Sequence, residues 1–99
     1  MYIRLATFDI LPAQLDAVTE HFRVESIRIF AAREGFLGYR AFVDRERGRM
    51  VGISRWASLA ALEASGESGR GIIDGAAKLG AAMVGEPQIL AQAFDVLPA

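Results

Sequence analysis

His21 and Glu25 lie four residues apart, inside a segment of helical periodicity, so both side chains stand close to one face of a helix. An imidazole exchanges a proton near neutral pH, which makes His21 a candidate base and His21 with Glu25 the candidate catalytic pair on a pocket wall. The same residues allow a plainer arrangement. Glu25 would then pair with Arg28 or Arg40, and His21 would sit at the solvent boundary. A second set is aromatic. Tyr39 and Trp56, with Ser54 beside them, fall on one sheet face, where they would stack on a flat aromatic substrate or simply pack the core. Small Ala41 and Gly52 on that face leave space. Arg40 shares the opposite face with Arg55, placed to bind an anion or phenolate or to form a salt bridge across a dimer. The Gly-rich run GESGRG at 66–71 precedes a helix, where it serves as an anion-binding turn, a flexible helix break or a lid.

Composition removes several chemistries. The chain of 99 residues has no cysteine, which excludes disulfides, thiolate nucleophiles and cysteine-bound zinc or iron–sulfur sites. One histidine cannot build a multi-histidine metal site. Eleven basic residues against twelve acidic ones leave a net charge of −1, without the basic excess of a nucleic-acid module. No apolar run approaches the roughly 18 residues of a membrane span, and the N-terminal segment lacks a signal-peptide pattern. One cytoplasmic domain over 1–99 is the expectation, with no metal or organic cofactor.

The elements that must position these residues follow from periodicity. Residues 2–9 alternate and are rich in β-formers, giving a first strand. Pro12 suits the first turn of a long amphipathic helix over about 13–34, with Leu11, Leu15, Val18, Phe22 and Ile29 on its stripe and Gly35 as its stop. On that stripe Glu25 faces inward, whereas Ile27 and Phe30 point away. Strands over 36–44 and 49–56 form a hairpin, with Asp44 opposite Arg49 and Gly48 in the turn. Ser58 caps a short helix that Gly66 ends. Ile72, Ile73, Ala76, Leu79 and Met83 mark a further helix, and residues 88–96 a fourth strand. The order β-α-β-β-α-β is the ferredoxin-like arrangement, an α+β fold with a four-stranded antiparallel sheet.

Such a sheet carries helices on one face only, and the other face of a monomer should be polar. Here both faces carry large apolar groups. Phe36, Phe42, Val51 and Ile53 lie opposite Tyr39, Val43, Met50 and Trp56. A second copy of the chain, related by twofold symmetry, would bury the exposed face, so a homodimer is expected.

The element order, Gly35-Phe36 before the second strand, and the run Ser54-Arg55-Trp56-Ala57-Ser58-Leu59-Ala60-Ala61-Leu62 resemble the antibiotic biosynthesis monooxygenase family of the dimeric α+β barrel superfamily. Gly35, Phe36, Trp56, Ser58 and Leu62 match its pattern over nearly the whole chain, while Glu34 replaces its usual proline. The resemblance implies a homodimeric barrel and quinone-forming oxygenation of a small aromatic or polyketide-like compound without metal or flavin. An electron-rich phenol gives its own electrons to dioxygen once ionised. Heme-degrading relatives carry Trp and His in the stretches matching 63–66 and 71–76, and this chain has neither. The alternative is a non-catalytic dimeric small-molecule-binding or stress-associated protein of the same fold.

Overall fold

The structure, a computed structural model, describes residues 1–99. Strand β1 (Tyr2–Ile10) is followed by a single 3₁₀ turn at Pro12–Gln14 and helix α1 (Leu15–Glu25). Proline opens the turn, where its missing N–H costs nothing. The hairpin of β2 (Phe36–Asp44) and β3 (Arg49–Trp56) turns at Gly48, whose φ of 67° suits glycine. Ser58 caps α2 (Leu59–Ala64) by accepting the Ala61 N–H at 3.1 Å. Helix α3 (Gly66–Ala77) and two short strands, β4 (Ala81–Met83) and β5 (Gln88–Ala91), complete the chain. The sheet is antiparallel in the order β2-β3-β1-β4, with β5 also paired to β1. This is the ferredoxin-like α+β architecture. No helix is long and apolar enough to cross a membrane.

The hairpin register places Asp44 opposite Arg49 and Tyr39 opposite Ser54, as the turn chemistry implies. A bulge between Phe36 and Gly38 then brings Phe36, rather than Leu37, opposite Trp56.

The first helical segment departs from its sequence pattern. α1 passes into a π-helical turn at Ser26–Phe30, and 31–35 is a turn rather than helix. The wider turn alters the angle per residue, so the buried series runs Leu15, Val18, Phe22, Ser26, Phe30. Phe30 is therefore core, packed edge-on against Trp56 at 5.3 Å, and not an outward contact. Glu25 stands beside the stripe rather than at its centre.

The C-terminal half holds two further corrections. GESGRG is the first half of α3, and Gly66 opens that helix instead of closing α2. Buried Ser65 forms the elbow between them, donating to the Leu62 carbonyl at 2.6 Å. The expected strand over 88–96 is instead β4 and β5, one lane along β1 broken at 84–87 by Gly85 (φ 69°) and Pro87. Met83 pairs with Phe8 in that lane and belongs to no helix. Beyond β5 the Gln92 N–H reaches the Met1 carbonyl at 2.9 Å. Residues 92–99 extend away, with Phe94, Val96 and Leu97 each 75% exposed or more.

Candidate functional site

Strand alternation sends every second residue of β1, β3 and β2 toward the helices, and the register arranges them in four rows. Tyr2, Trp56 and Phe36 form an aromatic row. Arg4, Ser54 and Tyr39 form a polar row. Ala6, Gly52 and Ala41 form a row of minimal side chains, and Phe8, Met50 and Val43 an apolar one. Above the polar and minimal rows lies a cavity of about 40 Å³, lined from the helical layer by Phe22, Phe30 and Ile72. Of the minimal row, Ala6 and Gly52 line it, and the Tyr39 hydroxyl takes the place that a side chain at 52 would occupy.

The polar row is unsatisfied on its cavity side. The Arg4 guanidinium donates to Ser65 Oγ at 3.0 Å and to the Leu62 carbonyl at 2.9 Å. Three of its five N–H groups remain free, and it pairs with no carboxylate. Burial lowers its pKa. Ser54 is 4% exposed and lines the same cavity. The Tyr39 ring stacks on Phe22, 6.2 Å between centroids and 5° between planes. Its hydroxyl lies against Gly52, where any Cβ would overlap it. Burial raises the Tyr39 pKa far above the ordinary tyrosine range, so the group stays a neutral hydrogen-bond donor.

Of the residues singled out by sequence, the structure brings Tyr39 and Ser54 together at the cavity. Trp56 lies on the same face but is fully buried between Phe30 and Phe36 and does not line the cavity. Arg40 stands on the opposite sheet face, exposed, opposite Ile53. His21 and Glu25 also lie outside the cavity. The His21 ring bridges α1 to α3, with Nε2 2.9 Å from the Ile72 carbonyl and the ring seated over Gly75. Glu25 accepts from Arg28 at 2.6 Å, and that bond, more than the nearby charges of Arg28 and His21, lowers its pKa. Arg4 is the residue that sequence reasoning missed. Its signal was parity: between Tyr2 and Ala6 on the inward face of β1, a charged residue interrupts an apolar series. No group of three or more His, Asp or Glu side chains is close enough to hold a metal.

One helical layer over one face of an antiparallel sheet, with polar side chains between, defines a ferredoxin-like α+β fold. The antibiotic biosynthesis monooxygenase profile matches residues 1–70, and the chain belongs to that family. Solved structures agree in fold. A monooxygenase from the ActVA-Orf6 gene of Streptomyces coelicolor, in complex with nanaomycin D, superposes with a TM-score of 0.77 at 16% identity, covering 99% of this chain and 92% of that one. SnoaB, a cofactor-independent oxygenase from Streptomyces nogalater, gives 0.67 at 18% identity, covering 99% and 97%. Rv0793 from Mycobacterium tuberculosis gives 0.68 at 18%, covering 97% and 98%. No curated protein sequence matches the chain.

Proposed function

We propose that the protein is a cofactor-independent oxygenase that converts a small phenolic aromatic of polyketide type to a quinone. The observation that supports this reading is the Arg4–Ser54–Tyr39 row, a cation and two hydroxyls lining one space. A phenol whose hydroxyl sits over that row meets a positive charge, which favours its ionised form. Tyr39, held neutral by burial, donates to the resulting oxyanion. No carboxylate or imidazole lines the cavity, so the phenolic proton passes to water. The electron-rich ring then reduces dioxygen. With 1,5-dihydroxynaphthalene, one oxygen atom replaces the hydrogen para to a hydroxyl and becomes a carbonyl. The other leaves as water with the two hydrogens released, and the substrate supplies all four electrons.

The test is dioxygen uptake on 1,5-dihydroxynaphthalene. One dioxygen consumed per quinone formed, with the rate lost in Arg4→Met, supports the reading. Uptake no faster than in buffer sinks it. A second reading, a non-catalytic binding protein, is favoured by the cavity volume: about 40 Å³ holds a few waters and not a ring. Saturable ligand binding without dioxygen uptake would support that alternative.

The assembly that fits is a homodimer. Ile3, Leu5, Phe42, Val51, Ile53 and Leu90 share the sheet face away from the helices, with Phe42 and Leu90 exposed and the other four half-buried. Phe42 is 57% exposed there. An identical face on a second copy would remove this apolar surface from water.

A further inference from the structure

A groove of about 290 Å³ runs on the other side of the Tyr39 ring, between the π-turn and β2. Thr19, Ser26 and Ile27 line it from the helix, and Phe36, Tyr39 and Ala41 from the strand. The groove exists for two local reasons. The inward side chain at 41 is only a methyl group, and Ala41 is left exposed although it points to the helical side of the sheet. The π-turn then sets Ser26, rather than a large apolar side chain, against the strand.

We infer that this groove is a binding subsite for a planar aromatic ring carrying a hydroxyl group, with Ser26 as its polar anchor and the Tyr39 ring as the partition between it and the inner cavity. The inference rests on the oxygenase reading for its ligand class, but three observations carry the site itself. Ser26 is 3% exposed, and its Oγ has no hydrogen-bond partner. A serine within a helix ordinarily returns its hydroxyl to a carbonyl one turn back, and a buried hydroxyl left unpaired is destabilising unless something else bonds it. The groove also has the size that the inner cavity lacks, near the lower end for small-molecule sites at roughly 300 Å³. Finally, Tyr39 lines both spaces. The ring stacks on Phe22 and packs against the core. A ring seated in the groove would lie against Tyr39, one aromatic thickness from Arg4 and Ser54. Rotation of Tyr39 would join the two spaces into one pocket, so the groove holds the body of a ligand whose reacting edge faces the polar row.

The probes are 2-naphthol and naphthalene, titrated into the intact protein by calorimetry or by naphthalene-ring fluorescence. The wild type should bind 2-naphthol with one site per chain and prefer it to naphthalene. Ala41→Leu, a change at an exposed position, fills the groove and should weaken 2-naphthol by about tenfold or more. Ser26→Ala should weaken 2-naphthol by about three- to tenfold while leaving naphthalene unchanged. It should also melt no lower than the wild type, since it removes an unpaired buried hydroxyl. No saturable 2-naphthol binding to the wild type would overturn the inference. So would undiminished binding in Ala41→Leu, or an unchanged preference for 2-naphthol in Ser26→Ala. These outcomes separate from the oxygenase reading. Groove-dependent binding with no dioxygen uptake keeps the subsite and loses the reaction. Uptake with groove-independent binding does the reverse.

Discussion

The guanidinium of Arg4 reaches the hydroxyl of Ser65 at 3.0 Å, joining residues 61 positions apart. A strand buried beneath two helices is thereby tied to the elbow between those helices. The tie works because Ser65 already donates to the Leu62 carbonyl, so one arginine satisfies both ends of the elbow. It leaves the rest of the guanidinium facing the cavity.

Replacing Arg4 tests both roles. Arg4→Met keeps much of the side-chain volume but removes two hydrogen bonds, which should lower stability by about 1–3 kcal/mol in a urea titration. Arg4→Lys keeps the charge and loses the forked geometry, so it should recover binding of an anionic aromatic such as 2-naphthoate better than it recovers stability. Equal 2-naphthoate affinity in wild type and Arg4→Met would remove the charge from any part in ligand recognition.

Tyr39 sets an alkaline limit. Its folded pKa lies above the unfolded value of about 10. The folded state therefore holds the proton more tightly, and this contribution to stability is intact below pH 10. Above that the unfolded chain ionises and the folded one does not, so stability falls by about 1.4 kcal/mol per pH unit until the folded group titrates. Denaturation curves taken from pH 9 to 11 should show this slope in the wild type and a shallower one in Tyr39→Phe. Parallel curves would contradict burial of the hydroxyl.

His21 and Gly75 form a steric pair. A Cβ at position 75 would lie 2.7 Å from His21 Cε1, and the ring cannot swing aside without losing its bond to the Ile72 carbonyl. Gly75→Ala should therefore destabilise the wild type by about 1–3 kcal/mol. In a His21→Ala background the same change should stabilise by up to about 1 kcal/mol, since alanine is the better helix former. The reversal of sign in chemical denaturation is the check, and a Gly75→Ala protein as stable as the wild type would mean that the helices are not in this contact.

The assembly prediction is a mass measurement. At micromolar concentration the protein should sediment as a dimer, and Phe42→Glu on the uncovered sheet face should shift it toward monomer. A wild type that remains monomeric across that range would show that the apolar face is tolerated in water.

The fold was readable where local chemistry and alternation agree. Asp44, Gly48 and Arg49 define the hairpin turn and hence the whole β2–β3 register, which places Tyr39 against Ser54. Ser58 announces the cap of α2 through its own side chain. Periodicity failed where backbone geometry changed without a residue that demands it. The π-turn at Ser26–Phe30 contains neither glycine nor proline, so a constant angle per residue turned Phe30 outward and Glu25 inward. GESGRG reads as a break because glycine is a poor helix former, but the run is helical within α3, with Arg4 and Phe30 lying close over Gly69. At the site, aromatic and hydroxyl residues were visible as a cluster. His21 drew attention by its chemistry, yet its partner, the Ile72 carbonyl 51 residues away, is a backbone atom that no side-chain pattern encodes.

The row Ala6–Gly52–Ala41 acts as a gauge for the interior. Its three side chains amount to two methyl groups, so capacity between the layers is set by carbon atoms withheld rather than by any loop or lid. Each methylene added at Ala6 or Ala41 narrows the range of guests by a countable step, whereas the side-chain space at Gly52 is already taken by the Tyr39 hydroxyl. Selectivity is thus retuned in single-substitution increments at the two alanines, with the glycine between them held fixed.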